Sequence, residues 1–466
     1  MKRNTSDALL RWLLALSLAV AGCSGLPDSS QQVDDTTYYA NFFAFNCMKG
    51  YYLWEQEVSD QLDNWKTGED PIAKVRSARY KDSNGKEIDK WTELMEDCSS
   101  FISSVTGNGK TFGFEFVLYA SENYVIPQVT YIYPGSPAEK CLARGDVIRK
   151  VDGEYLTRDN YVAVLTEKLY TRPSTLSLLL DSGKVVELQA VEMYSNPVHV
   201  VRTLQYGSRR IGYLHFTNFT DEAVKDLKET FGHFKEEGIE ELVLDLRYNT
   251  GGYETTAVAL GSLIAPPDAV SAQSVFCRSV FNGHLSAVME NNLRFDPQYV
   301  DANPGIQRLW VIVTGHSASA SELLICGLIP YMPVTLVGST TYGKFCGGYL
   351  LTTEGFFDTL SKETDEIDCK AAKAATAGWG LYVITSRYAD CNGETLSMPS
   401  GIPVHYEAVD NPQDGYPLGD PSESMLAVVL AKALAGDTPS AAAPSKSIAG
   451  REELPFRKPA DGVLIY

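Results

Sequence analysis

Residues 309–329 read LWVIVTGHSASASELLICGLI, which joins an apolar strand-like run to an apolar helix-like run through a turn of small residues. This order predicts a buried strand, a tight turn and a helix within an α/β core. Ser319 lies in the turn, where N–H groups at the start of a helix face a bound substrate. Because a serine hydroxyl is a weak nucleophile on its own, the turn indicates a hydrolase site only together with a base.

A candidate base follows further along the chain. Lys344 lies in TTYGKFCGG (340–348), directly after a second strand-like run, PVTLVG (333–338). A lysine removes a proton only in its neutral form, so its ordinary pKa of about 10.4 must fall by roughly three units. The adjacent residues supply no carboxylate that would keep the amine charged. Ser319 and Lys344 together predict a Ser/Lys hydrolase.

The stretch ELVLDLRYNTGGY (241–253) runs from an apolar strand into a turn that contains the pair Gly251-Gly252. Glycine allows the backbone to approach a ligand closely, and its N–H group can stabilise the oxyanion of a tetrahedral intermediate. Asp245 and Arg247 in the same stretch are interpreted as structural, forming an ion pair or hydrogen bonds near the site. The turn is a candidate second element of the active site.

Strand-like and helix-like runs alternate from residue 191 to about residue 436, which predicts a mainly parallel sheet flanked by helices. The last helix has a clear predicted start. Asp420 can cap it, Pro421 suits its first turn, and Glu423 completes an Asp-x-x-Glu capping box.

Residues 134–156, PGSPAEKCLARGDVIRKVDGEYL, give a turn, a short helix, a second turn and a strand, between other β-rich runs. In this order the pattern resembles a PDZ domain. The resemblance implies that the module adds a peptide strand to a sheet edge and binds the terminal carboxylate of the peptide. By the same resemblance, the carboxylate-binding loop is Phe112-Gly113-Phe114.

Taken together, these stretches resemble peptidase family S41, the C-terminal processing and tail-specific proteases. RRIGYLHFTNF (209–219) and PLGDPSESML (417–426) also match segments of that family. The resemblance implies a crotonase-like α/β core with Ser319 as nucleophile and Lys344 as base. The oxyanion donors it implies are the N–H of Ala320 and that of Gly251 or Gly252. The chain departs from the family at Gly348, where many members carry a glutamine that orients the lysine.

The N-terminus predicts export and lipidation. A basic start is followed by an apolar run over residues 9–21 that ends in Val20-Ala21-Gly22-Cys23. This ending resembles a bacterial lipobox and implies that Cys23 is acylated and anchors the protein to a membrane, with the outer membrane as the expected location. An ordinary signal peptide with an incidental cysteine is the alternative.

The bulk composition predicts a globular chain of several domains. The chain has 466 residues, 44% of them apolar and 21% charged, and a net charge of −19 that disfavours nucleic-acid binding. Some of the eight cysteines that follow Cys23 can pair in an oxidising compartment, and none has zinc-ligand spacing, so no metal or other cofactor is predicted. The predicted parts are a signal peptide (1–23), a tether (24–36), a small helical domain (37–105), a PDZ-like domain (106–190), a peptidase domain (191–436) and a tail (437–466).

Two other functions remain open from the sequence. One is a catalytically inactive envelope protein that binds peptides through its PDZ-like domain. The other is an α/β-hydrolase with Ser317 as nucleophile, because residues 315–319 approach the pattern G-x-S-x-G, with Asp390 and His405 as its acid and base.

Overall fold

The computed structural model describes residues 34–171, 173–395, 400–435, 452–456, 458 and 464–465. Cys23, the predicted signal peptide and most of the predicted tether lie outside these residues. No helix in the described part of the chain is both long and apolar enough to cross a bilayer. No disulfide joins the cysteines that lie in the described residues.

The N-terminal part is mainly helical. It contains the helices α1 (Asp35–Tyr51), α2 (Ser59–Asp63), α3 (Pro71–Ser77) and α4 (Ser99–Thr106) and the strand β1 (Glu93–Met95). The first helix begins where the Asp34 carboxylate accepts a hydrogen bond from Thr37 N at 3.0 Å, an ordinary N-cap. Buried side chains of α1, such as Phe43 and Met48, belong to the same apolar cluster as Phe357 and Tyr382 of the peptidase part. The two parts therefore share one core.

The next part of the chain consists mainly of short antiparallel sheets. Its elements are β2 (Asn108–Thr111), β3 (Phe114–Ser121), β4 (Tyr124–Ile132), β5 (Ile148–Val151), α5 (Tyr161–Leu165), β6 (Thr175–Leu180), β7 (Val185–Gln189) and β8 (Val191–Tyr194). α5 continues into a π-helical turn over Thr166–Thr171. β3 pairs with β4, and β5, β6 and β7 form a second sheet, around a separate apolar core.

The remaining elements form the predicted peptidase domain, here called the peptidase part. Its strands are β9 (Val198–Tyr206), β10 (Arg209–Phe216), β11 (Glu241–Asp245), β12 (Gly252–Tyr253), β13 (Val275–Phe281), β14 (Asn292–Arg294), β15 (Arg308–Val313), β16 (Val334–Gly338), β17 (Cys346–Thr352), β18 (Gly380–Asp390), β19 (Tyr406–Glu407) and β20 (Leu464–Ile465). Its helices are α6 (Ala223–Glu237), α7 (Glu254–Ile264), α8 (Pro267–Ser271), α9 (Ala320–Leu328), α10 (Thr353–Leu360), α11 (Cys369–Ala375) and α12 (Ser424–Ala435).

A six-stranded sheet in the order β19-β16-β15-β11-β10-β9 forms the centre of the peptidase part. All its neighbours pair in parallel except β9, which is antiparallel to β10. Every residue of β11 is buried, as expected for a parallel strand covered on both faces. Helices α6, α7 and α9 contribute to the core on one face, and α12 packs on the other.

The second sheet of this part, β12-β20-β17-β18-β13-β14, carries β1 as an additional strand on β18. β17 begins at Cys346, two residues after Lys344, and β12 contains Gly252. The two predicted catalytic turns therefore lie where the two sheets meet.

Candidate active site

Ser319 occupies the turn between β15 and α9, and its backbone is strained. Its φ is 61° and its ψ is −111°, a region that a residue with a side chain rarely enters and that costs roughly 1–3 kcal/mol. The side chain is fully buried, and among the described residues its Oγ has no hydrogen-bond partner. A strained backbone with a buried hydroxyl that lacks a hydrogen-bond partner is typical of a catalytic nucleophile in the absence of substrate.

Glu322, one turn into α9, connects the nucleophile turn to the lysine turn. Its Oε2 accepts hydrogen bonds from Ser319 N at 3.0 Å and from Lys344 N at 2.9 Å. Its Oε1 accepts from Thr341 Oγ1 at 2.6 Å and from Gly343 N at 2.8 Å. Burial raises the pKa of this carboxyl to about 7, although the four donors act in the opposite direction. The backbones of the two candidate catalytic residues are thus joined through one oxygen atom.

Tyr388 makes a second connection between the same two turns. Its hydroxyl donates to Lys344 O and lies 3.4 Å from Ser319 O. Tyr342 N in the lysine turn also donates to Ser317 O at 3.0 Å. The structure therefore brings the two predicted turns together by several independent contacts.

The side chain of Lys344 is fully buried against aromatic rings. Its Nζ lies 3.3 Å from the hydroxyl of Tyr382, 5.0 Å from the ring centroid of Trp91 and 5.3 Å from that of Tyr382. Burial favours the neutral amine, which can accept a proton, whereas the ring faces and the hydroxyl stabilise the ammonium once it forms. These opposing influences suit a group that gains and loses a proton during a reaction.

The position of Gly348 explains why glutamine is absent there. β17 pairs with β18 with a register shift between Gly347 and Gly348. A Cβ atom added at Gly348 would lie 2.0 Å from Val383 O and 3.1 Å from the Cα of Ile384. No side chain fits in this space without a shift of the backbone. The hydroxyl contact to the lysine comes from Tyr382 on β18.

The two glycines of the diglycine turn, which are the predicted oxyanion donors, make different contacts. Gly251 has a φ of 123° and Gly252 a φ of 136°. Gly251 N donates to Asn249 Oδ1 at 2.9 Å, whereas the backbone oxygen of Asn249 accepts from Ala318 N at 3.1 Å and from Ser321 Oγ at 3.0 Å. Asn249 thus fixes the diglycine turn against the nucleophile turn. The N–H of Gly251 is engaged by Asn249, and Gly252 is paired with Leu464 of β20, so each glycine stays a candidate donor beside Ala320 at the start of α9.

Ser317 has a structural role in the turn. It is fully buried, its Oγ donates to Leu246 O at 2.7 Å, and it accepts from Thr314 N at 3.0 Å. His405, the base of the α/β-hydrolase alternative, uses Nδ1 to accept from Leu336 N at 3.0 Å. Asp390 accepts turn hydrogen bonds from Asn392 N and Glu394 N. These contacts disfavour that alternative.

The predicted carboxylate-binding loop is closed in this structure. Phe112 and Phe114 are buried, and Gly113 has a φ of 81° and donates its N–H to Thr111 Oγ1 at 3.0 Å. Ser136 Oγ donates to Gly113 O at 3.1 Å, so the loop is also held from its other side. Peptide binding by this loop stays a prediction.

Several residues of the site were not predicted from the sequence. Glu322 had a local signal, because Ser319-x-x-Glu322 has the spacing of a capping box before an apolar helix. Trp91, Tyr382 and Tyr388 had none, since they reach the site from a loop and from strand β18, which are distant from both catalytic turns in the chain.

Comparison with known proteins identifies the class to which this fold and site belong. The model of peptidase family S41 matches residues 210–407, and a PDZ domain model matches residues 128–168. The chain therefore carries a serine peptidase domain of family S41 together with a PDZ domain, which confirms the resemblance found in the sequence.

Individual relatives agree with this class. The chain is 24% identical over 319 residues to a "Probable CtpA-like serine protease" of Staphylococcus saprophyticus, covering 64% of this chain and 60% of the relative. It is 26% identical over 286 residues to a protein of the same name from Staphylococcus aureus, covering 60% of this chain and 53% of the relative. The chain thus spans less than two thirds of the length of these relatives.

Among solved structures, a "Putative S41 protease" from Bacteroides fragilis has a similar fold. It superposes with a TM-score of 0.63 at 21% identity, covering 88% of this chain and 99% of that protein.

Proposed function

We propose that the protein is a serine endopeptidase with a crotonase-like core, in which Ser319 is the nucleophile and Lys344 the general base. The observation that carries the proposal is the single Glu322 Oε2, which accepts hydrogen bonds from the backbone N–H of both residues. The strained φ of Ser319 and its buried, unsatisfied Oγ further support it.

In the proposed reaction, Ser319 Oγ attacks the carbonyl carbon of a peptide bond while its proton moves to Lys344 Nζ. The N–H of Ala320 and that of Gly251 or Gly252 then stabilise the oxyanion. Collapse of the tetrahedral intermediate breaks the C–N bond, and Lys344 gives its proton to the leaving amine. Water, activated by the neutral lysine, hydrolyses the resulting acyl-enzyme. The aromatic pocket around Nζ would stabilise the ammonium between these steps.

A substitution set tests the assignment of the dyad. Ser319→Ala and Lys344→Ala in the purified full-length protein are each expected to lower casein cleavage by at least 1,000-fold, since both groups act on the same proton. Ser319→Ala also removes labelling by a fluorophosphonate probe. Ser317→Ala serves as the neighbouring control and retains labelling. If Ser317→Ala abolishes labelling and Ser319→Ala does not, the α/β-hydrolase alternative is correct.

We also propose that the substrates are exported or cell-envelope polypeptides and that acylated Cys23 anchors the enzyme to the outer membrane. The lipobox-like Val20-Ala21-Gly22-Cys23 supports the anchor. In a bacterial expression host, radiolabelled palmitate should be incorporated into the wild type and not into Cys23→Ala. Equal incorporation by both proteins would refute the anchor and leave the peptidase proposal untouched.

A further inference from the structure

Part of the predicted tail lies along the open edge of β3. Ala120 N donates to Glu452 O at 2.8 Å, and Leu454 N donates to Leu118 O at 2.9 Å. Between these bonds, Tyr119 and Glu453 form an antiparallel bridge. Residues 452–456 therefore extend the β3–β4 sheet by a further strand. PDZ domains bind extended peptides by the same addition of a strand to a sheet edge.

Alternate side chains of this segment enter the groove between β3 and the helical turn after α5. Leu454 is buried in the PDZ core. The ring centroid of Phe456 lies 6.0 Å from that of Phe116 and 6.0 Å from that of Tyr170. The Tyr161 hydroxyl also donates to Pro455 O at 2.9 Å. Apolar burial on one side and backbone pairing on the other are what a bound peptide requires.

Charged side chains of the segment face opposite charges. Both nitrogens of the Arg158 fork bind the Glu452 carboxylate, at 3.3 Å and 2.6 Å. Lys458 contacts Glu115. The Arg158–Glu452 pair is 48% and 61% exposed, so it sets the register of the segment more than its affinity. The groove thus fits an extended polypeptide with a carboxylate, a leucine and an aromatic ring at alternate positions.

A second segment of the tail, β20, pairs with strands beside the active site. β20 pairs in parallel with β12, placing Leu464 beside Gly252 and Ile465 beside Tyr253. Ile465 also pairs with Gly348 of β17. β20 therefore lies between the strand that carries the diglycine turn and the strand that follows Lys344. A substrate strand approaching Gly252 from this side would meet β20.

We propose that residues 452–456 and β20 act as an intramolecular ligand that occupies the peptide groove of the PDZ domain and the strand position beside Gly252. The proposal rests on the peptidase function proposed above. The groove therefore binds extended polypeptides with the pattern Glu-x-Leu-x-Phe. The tail competes with substrate for these positions. Because the tail is attached to the enzyme, its effective concentration exceeds that of most substrates. Activity rises when the tail is displaced or removed.

Peptide binding tests the occupied groove. A fluorescent synthetic peptide of residues 451–458 is titrated into full-length protein that carries Ser319→Ala to prevent cleavage. Adding Leu454→Asp releases the tail and should tighten peptide binding at least tenfold. Ser445→Asp, which puts the same charge into the tail outside the described residues, should leave binding unchanged. Equal affinity with and without Leu454→Asp, or no binding to either protein, overturns the proposal.

Cleavage tests the competition with substrate. With Ser319 intact, Leu454→Asp and the milder Phe456→Ala should each cleave casein at least fivefold faster than the wild type. Thermal melting identifies a variant that fails to fold. In that case the cleavage rate of the other variant decides whether the tail inhibits the enzyme. Unchanged or slower cleavage by a folded variant overturns inhibition by the tail. If no protein, wild type included, cleaves casein, the peptidase proposal fails, whereas the peptide titration still decides whether the tail fills the groove.

Discussion

Glu322 is the residue on which the geometry of both catalytic turns depends. Its two oxygens accept four hydrogen bonds, three of them from backbone N–H groups. Glutamine has nearly the same shape, but its NH₂ group would face N–H donors and leave them unsatisfied. We expect Glu322→Gln to lower kcat/KM by at least 100-fold in a peptide-cleavage assay. Glu236→Gln, an exposed substitution on α6, is the matched control and should change nothing.

The same carboxyl predicts a pH dependence with a definite sign. Burial raises the pKa of Glu322 to about 7 from its ordinary 4.5, so the folded state binds this proton more tightly than the unfolded state. Its contribution to the free energy of unfolding is therefore fully present below pH 4.5 and is lost as the pH rises through 7. Only the ionised form accepts all four hydrogen bonds, so activity should increase over the same range. Melting curves and cleavage rates from pH 5 to 8 check both trends. A wild type that gains stability relative to Glu322→Gln as the pH rises would contradict them.

Tyr382 is the residue whose hydroxyl contacts the amine of Lys344. Tyr382→Phe keeps the ring and removes the hydroxyl 3.3 Å from Nζ. We expect kcat to fall about tenfold with little change in KM, because the amine loses a positioning contact. The acid limb of the pH–rate profile should move to lower pH, since the hydroxyl stabilises the charged form. Tyr416→Phe, on an exposed tyrosine, is the control. A change in KM alone would show that Tyr382 acts on substrate binding.

At the scale of elements, the sequence was most informative for the strands and the helix around the nucleophile. The apolar runs at 309–314 and 333–338 correspond to β15 and β16, and the run at 320–329 corresponds to α9. The start of the last helix was predicted too early. α12 begins at Ser424, because Glu423 is drawn into a buried ion pair with Arg247 and its carboxylate accepts from Leu426 N. Tertiary contacts here override the local capping signal.

The pairing of β17 with β18 makes a prediction about Gly348. A methyl group at this position would overlap Val383 O, so the strands must separate or shift. We expect Gly348→Ala to lower the free energy of unfolding in urea by about 2 kcal/mol, a typical cost of overpacking. The control is Gly232→Ala in α6, where an added Cβ meets nothing within 4 Å. It should raise stability by up to about 1 kcal/mol. Equal stability of both variants would show that β17 accommodates a side chain.

At the scale of the molecule, buried charges join the PDZ domain to the peptidase part. Arg144 of the PDZ domain donates to Asp410 at 2.7 Å and to the Tyr248 hydroxyl at 2.8 Å. Arg247 donates to the same Asp410 oxygen at 2.9 Å. Burial alone would raise the pKa of Asp410, but the two guanidinium groups hold it below its ordinary value. The stabilisation this carboxylate provides is therefore present above pH 4 and is lost only as the pH falls through its lowered pKa.

Removing Arg144 should loosen the domain contact without unfolding either domain. In Arg144→Met, Asp410 keeps Arg247 as a partner, so we expect the free energy of unfolding to fall by about 1–3 kcal/mol. Hydrogen exchange should increase in β4, where Thr130 O accepts from Arg144, and in residues 405–415 around Asp410. Arg149→Met breaks the exposed Arg149–Asp181 pair of the same domain and is the control. Exchange that increases equally in both variants would contradict a specific role for Arg144.

The long-range arrangement could not be predicted from the sequence. Ser319, Lys344 and the diglycine turn were recognisable because each follows a strand in a local motif. The Arg144–Asp410 contact joins residues far apart in the chain, and residues 452–456 lie in what reads as a polar tail. Neither has a periodicity or a motif, because their partners are determined by how the domains pack.

The shared apolar core has a practical consequence for how far this chain can be shortened. The match to the peptidase family ends at residue 407 and begins at residue 210. Trp91, which forms one wall of the lysine pocket, and Glu423, the carboxylate partner of Arg247, both lie outside it. A minimal fragment trimmed to the matched residues would expose the apolar faces that β18 and α10 turn towards α1. Its inactivity would say nothing about the nucleophile.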